Sequence, residues 1–139
     1  MRQIKFRGLR KGDNTWLYGD LVHINGERHI FPEDVPNSPD FYEVIPESVG
    51  QFTGLKDKEG VEIFEEDVVK GIVSLEYCRI EHESAVRYDS EYCCFTTPCT
   101  YDGYIKQPSE EYCNFLHQFD TETIEVLGNI HQNPELLCQ

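Results

Sequence analysis

The chain has 139 residues, enough for one compact domain or a small domain with an appendage. It carries 26 acidic and 12 basic residues, a formal net charge of -14, which excludes a general nucleic-acid coat protein because that class needs net positive charge. Aromatic residues make up 12% of the chain, which excludes a disordered acidic tail, since each ring can bury a large apolar area.

Ile4-Lys5-Phe6-Arg7 alternates apolar and basic residues, as a half-buried strand does. Lys11-Gly12-Asp13-Asn14 is turn chemistry. Trp16 to Ile24 is rich in aromatic and branched residues and reads as a strand. Asn25-Gly26 supplies the two positive-φ positions of a tight hairpin turn, and Glu27 to Phe31 is the returning strand. A two-residue turn there sets Val22 opposite His29 and His23 opposite Arg28. The two imidazoles then lie on opposite faces and do not form a metal-binding pair. Pro32, Pro36, Pro39 and Pro46 break the next stretch, which reads as loop with at most a short turn of helix.

Gly50 to Gly54 reads as a short strand, and Lys56-Asp57-Lys58-Glu59-Gly60 as a polar turn. Val61 to Phe64, Val68 to Tyr77, Ala85 to Tyr88 and Tyr92 to Thr96 read as further strands, with Asp89-Ser90-Glu91 turning between the last two. Short strands at this spacing suggest a small barrel rather than a parallel sheet with crossover helices. Ser109 then has the chemistry of a helix N-cap, with Glu110 and Glu111 in the first turn. Tyr112, Phe115, Leu116 and Phe119 fall on one face of that helix, a stripe expected to pack in the core. Thr121 to Gly128 returns to strand, and Asn133-Pro134-Glu135 opens a last helical turn. The expected organisation is an N-terminal β-meander and Pro-rich loop over 1–48, then a barrel over 49–139 with a helical insertion near 109–119.

Charge is uneven. Met1 to Lys11 holds Arg2, Lys5, Arg7, Arg10 and Lys11 and no acid, and no Lys or Arg follows Lys106. Two readings follow: a basic edge that docks an anion, or a basic strand paired internally with acidic neighbours. The N-terminus has no apolar signal-peptide core and no stretch approaches a membrane span, so a host-cell cytoplasmic, membrane-free protein with reduced thiols is expected. Phosphate-loop, His-Glu-x-x-His and Gly-x-Ser-x-Gly motifs do not occur. Cys93 and Cys94 are adjacent, so on a strand they point to opposite faces. Cys113 and His117 have half-site spacing on the predicted helix, but no second half-site accompanies them. No enzyme activity, cofactor or metal is therefore expected, and the fold should not depend on a metal or on disulfides.

Three blocks carry a family resemblance. The run from Val49-Gly50-Gln51-Phe52-Thr53-Gly54 through Asp57, Gly60 and Glu65-Glu66-Asp67 to Val69 resembles the signature of the YopX family, found mainly in phages and prophages. Ile4-Lys5-Phe6-Arg7-Gly8 with Trp16-Leu17-Tyr18-Gly19-Asp20-Leu21 is similar to its N-terminal block. Ile124 to Leu137 is similar to its C-terminal block. The segment from about Ser74 to Thr121 matches poorly. Glu66 stands where the family usually has Gly before the Asp, so the local backbone is expected to differ there. The resemblance implies an SH3-like β-barrel core in a phage or prophage accessory protein, and it implies no catalytic residues.

The reading that follows is mainly β, with an SH3-like barrel core, an N-terminal β-meander and one inserted amphipathic helix. The expected function is a non-enzymatic binding module whose barrel rim contacts a host or phage protein. Its candidate binding residues are Arg7, Arg10, Trp16, Tyr18, Glu65, Glu66 and Asp67, with Tyr42 and Tyr101 as further aromatic anchors. Two alternatives differ in class: an acidic DNA mimic that inhibits a host nucleic-acid enzyme, or an oligomer that sequesters an anionic small molecule such as a signalling nucleotide. No direct nucleic-acid binding is expected. Self-association to a homo-oligomer is expected, through the N-terminal strands or the helix from Ser109 to Phe119.

Overall fold

The computed structural model describes residues 1–34, 40–75, 78–97, 114–115 and 118–138. The protein is mainly β, and the chain divides into two compact units, Met1–Gly54 and Leu55–Gln139.

The first unit contains β1 (Phe6–Leu9), β2 (Trp16–Ile24), β3 (Glu27–Pro32) and β4 (Tyr42–Glu43), and it ends within β5 (Gly50–Lys56). The hydrogen-bonded order is β4-β3-β2-β1-β5. Asn25 and Gly26 have φ of 52° and 86°, the mirror-image turn whose twist matches the flanking strands. It produces the expected register, with Val22 opposite His29 and His23 opposite Arg28. Between β1 and β2, Asp13 Oδ1 accepts from the Thr15 N–H at 3.1 Å and the Thr15 hydroxyl at 2.8 Å, which stabilises the turn. Leu9, Ile30, Val44 and Phe52 are buried, each contributing about 1.5–3 kcal/mol of apolar burial. Pro46–Ser48 makes one 3-10 turn. Buried Ser48 joins it to β1: its Oγ accepts the Leu9 N–H at 2.8 Å and donates to the Ile45 carbonyl at 2.7 Å.

The second unit contains β6 (Glu62–Phe64), β7 (Asp67–Leu75), β8 (Cys78–Ala85), β9 (Arg87–Asp89), β10 (Cys94–Thr97), β11 (Asn114–Phe115) and β12 (Glu125–Asn129). They include two antiparallel three-stranded sheets, β12-β7-β8 and β11-β10-β9. Val69 and Val73 on β7 pack with Ile63, Val86, Phe119 and Ile124 into one buried cluster. Gly71 lies between those valines, where an added Cβ would meet Phe119 Cδ1 at 2.8 Å and Ile124 Cα at 3.1 Å. A side chain at this position would displace the core. Pro134–Cys138 is a final 3-10 helix.

Three expectations need correction. First, the described strands of the second unit form open sheets, not an SH3-like barrel. Closure requires the outer strands to pair. Here β12 carries a bulge between Val126 and Gly128 and then ends at Asn129, where the chain turns away on the Asn129 side chain.

Second, the inserted helix is not found where it can be seen. Asn114–Phe115 is a strand paired with Thr97 and Thr96, and Phe119 makes a β-bridge to Val73 and is 4% exposed. Residues 109–113 and 116–117, with Cys113 and His117, lie outside the described residues, as does Tyr101. The backbone donors and acceptors along β10 require partners, and satisfying them outweighs helix propensities worth tenths of a kcal/mol per residue. Phe119 nevertheless packs in the core, as expected of its stripe.

Third, β8 covers a stretch that the sequence reading leaves unassigned. Its eight residues pair with β7 from Val68↔Ala85 to Leu75↔Cys78. The strand is polar, with exposed Arg79, Glu81 and Glu83 alternating with buried His82. The period of two is present, but His82 and Ser84 stand at positions where apolar residues usually announce it.

Candidate functional site

The basic N-terminal segment is held by its own unit. Lys5 and Arg7 are only 9% and 5% exposed. The Lys5 ammonium sits 3.2 Å from Glu33 and 5.8 Å from the Phe52 ring centroid. The Arg7 guanidinium lies 4.6 Å over Trp16, because the β1–β2 register sets Arg7 opposite Tyr18 and Leu9 opposite Trp16 on one face. Arg10 stacks 4.4 Å over Tyr42 and approaches Asp13 at 3.4 Å, and Lys11 is ion-paired with Glu43. Each of these cations has an aromatic ring or a carboxylate from the same unit beside it. Trp16 and Tyr18 are half-buried under this arrangement.

Further along the same face the sheet opens to solvent. Directly opposite residues of antiparallel strands share a face, so Phe31 stands beside Asp20, and His29 beside Val22 on one side and Glu43 on the other. Glu27, two residues before His29 on β3, shares that face too. Phe31 and Phe41 are 39% and 47% exposed. The Phe41 ring meets the His29 ring edge-on at 5.5 Å and 89°. The result is an apolar patch of Phe31, Phe41 and His29 flanked by Asp20, Glu27 and Glu43. Neither phenylalanine is among the residues singled out from sequence. One signal was available for Phe31: the Asn25-Gly26 turn places it opposite Asp20, and a strand face carrying Asp20 is a solvent face.

The acidic run Glu65-Glu66-Asp67 does not form a shared array of free carboxylates. Asp67 is 2% exposed, and its Oδ2 accepts the Phe64 N–H at 2.8 Å, tying the β6–β7 turn. Glu66 has φ of 68°, so the backbone is left-handed where the family resemblance places Gly. Its N–H donates to the Val86 carbonyl at 2.8 Å and its carbonyl accepts from the Ile130 N–H at 3.0 Å. Its carboxylate contacts His131 Nε2 and lies 3.6 Å from Arg87. The local backbone therefore keeps the glycine conformation, and the glutamate side chain ties that turn to β9 and the C-terminal turn. Glu65 is half-buried.

Two further motif residues prove structural. Asp57 is 8% exposed; its Oδ1 accepts the N–H groups of Glu59 (2.8 Å) and Val61 (2.9 Å), and its Oδ2 accepts that of Val126 (3.1 Å). Burial by itself would raise this carboxyl, but the N–H donors of Val126, Val61 and Glu59 outweigh it and hold the pKa below the usual aspartate value. Asn129 Oδ1 accepts the His131 and Gln132 N–H groups at 3.1 and 3.0 Å, which sets His131 against Glu66. Among the described residues no group of three or more His, Cys, Asp or Glu is placed to hold a metal ion. Cys93 is a free thiol, exposed in the β9–β10 turn with φ of 53°. Among the described residues, no helix is long and apolar enough to cross a membrane.

This geometry defines a two-unit, mainly β protein whose polar motif residues close turns and whose first unit presents an acid-flanked aromatic patch. The chain belongs to the YopX family, described as "YopX protein", whose match spans residues 5–138. No curated protein matches it. Among solved structures it is similar to the crystal structure of protein EF1440 from Enterococcus faecalis, with 24% identity, 99% of each chain covered and a TM-score of 0.49.

Proposed function

We propose that this protein is a non-enzymatic phage-type accessory protein that acts by binding another protein. One contrast carries the reading. The motif side chains with chemical potential, Asp57, Glu66, Asp67 and Asn129, are bonded within the second unit, whereas Phe31 and Phe41 remain exposed on the first. Exposed aromatics grouped on one sheet face are the usual anchors of protein interfaces. The sequestration alternative needs cations available to an anion, and Lys5, Arg7, Arg10 and Lys11 are already engaged by rings or carboxylates.

A photo-crosslinking amino acid placed at Phe41 in the full chain tests the proposal in host cells. The expected result is a discrete protein adduct that does not form from the same group at Val61, which is 49% exposed on the second unit. A nucleotide found on the purified protein by intact-mass measurement, with no Phe41-specific adduct, would replace this reading with sequestration.

A further inference from the structure

We infer that the patch formed by Phe31, Phe41 and His29 docks a basic polypeptide segment carrying at least one large apolar side chain. The inference rests on the binding-module reading and specifies its partner. The apolar part follows from exposure: Phe31 and Phe41 present ring surface to solvent, and His29 packs edge-on against Phe41. A side chain such as Leu or Trp seated there removes that surface from water. The basic part follows from register. Asp20 is opposite Phe31, Glu43 is opposite His29, and Glu27 shares their face. Asp34 is also exposed near Phe31 in sequence.

Several of the described cations that could offset these acids are directed elsewhere or matched. Arg28 and His23 project from the opposite face by register, and Arg28 Nη1 donates to the Pro46 carbonyl at 2.9 Å. Lys11 is matched by Glu43, and Lys5 by Glu33. Lys11 offsets Glu43 and feels Glu27 only at longer range, so an incoming Lys or Arg beside the apolar side chain meets a rim that is acidic on balance through Asp20, Glu27 and Asp34, which speeds encounter and selects the partner.

The same electrostatics disfavour other occupants. Nucleic-acid phosphates and anionic lipid headgroups would meet like charge. A second copy would bring together two chains of net charge -14, and the basic segment that could bridge them is held within its own unit.

Fluorescence anisotropy on the full-length protein tests this with three labelled peptides. The first has a central Leu-Trp pair flanked on both sides by Lys-Arg. The second keeps Lys-Arg but replaces the centre with Gly-Gly. The third keeps Leu-Trp but has Glu-Glu flanks. Only the first should bind saturably. Replacing both Phe31 and Phe41 with Ala should weaken it by about tenfold or more. Asp20→Asn with Glu27→Gln should weaken it by about threefold and blunt its salt sensitivity. Phe41→Ala alone, at a position preceding β4, serves as the milder variant if the double change perturbs the sheet.

Equal binding of the Gly-Gly peptide, or indifference to the phenylalanine changes, would overturn the inference, since attraction to an acidic surface would then be general. Binding of the Glu-flanked peptide through the same phenylalanines would overturn the basic partner while leaving the binding-module reading in place. Absence of saturable binding by the first peptide also overturns the basic partner. The crosslink from Phe41 judges the broader reading separately.

Discussion

The Val126 N–H donates to Asp57 Oδ2 at 3.1 Å, joining the β5–β6 hairpin to β12 across 69 positions of sequence. The same carboxylate holds the Glu59 and Val61 N–H groups, so one buried anion closes a tight turn and fastens it to a distant strand.

Asp57→Asn should therefore be strongly destabilising despite its similar shape. One carboxylate oxygen becomes an NH2 group that cannot accept, and the charge is lost. The expected loss is about 2 kcal/mol, rising to about 3 kcal/mol for Asp57→Ala, from urea unfolding. Because the folded pKa is depressed, this stabilisation is complete above the unfolded aspartate value of about 4 and disappears as pH falls through the folded value. An Asn variant as stable as the parent at neutral pH would show that the carboxylate is not the fastening group.

His82 should make stability fall between neutral and mildly acidic pH. It is 9% exposed on β8, with its ring 5.9 Å from that of Phe119. Burial lowers its pKa, against a smaller opposing effect of a backbone hydrogen bond with Thr97. Above about pH 6.5 both folded and unfolded states hold it neutral. Below that value the unfolded chain takes up a proton that the folded chain resists, so stability declines until the folded pKa is passed. In paired urea titrations at neutral and mildly acidic pH, His82→Gln should lose less stability on acidification than the parent. Parallel losses in the two proteins would rule His82 out as the cause.

Glu66 separates backbone strain from side-chain contact. Glu66→Ala removes the contacts to His131 and Arg87 but keeps a Cβ in the left-handed region, whereas Glu66→Gly removes both the contacts and the strain. The Gly variant should be more stable than the Ala variant by about 1 kcal/mol, read from denaturation midpoints. Equal stability of the two would contradict the left-handed conformation.

Gly71→Ala should destabilise through overpacking. Its new methyl would meet the Phe119 ring at 2.8 Å and the Ile124 backbone at 3.1 Å. A loss of about 1–3 kcal/mol is expected from thermal or urea unfolding. Adding Phe119→Leu should recover part of it, because the ring is the nearest obstacle. A neutral Gly71→Ala would mean that β7 and the 119–124 segment are less closely packed than described.

What adjacent residues determine by themselves was legible in the sequence. Asn25-Gly26 favours its positive φ values locally, so the β2–β3 register and the placement of His23 and His29 are readable from a dipeptide. The mainly β character, the family blocks and the acidic balance are equally local or compositional. Other features depend on where distant segments meet. Whether Asn114–Phe115 continues a helix or joins β10 depends on a strand edge needing partners, and whether the second unit closes depends on how far β12, bulged between Val126 and Gly128, continues before it ends at Asn129. One partner of each, Val126 for Asp57 and His131 for Glu66, lies in the distant C-terminal block, so their carboxylates look available in the sequence and are committed in the fold. Phe41 shows the converse: it is an ordinary core residue by type, and the pairing of the adjacent β4 with β3 leaves it exposed against His29. Turn conformation is set by a few neighbouring torsions, whereas burial and pairing are sums over the whole assembled sheet, and those sums exist only once the chain has folded.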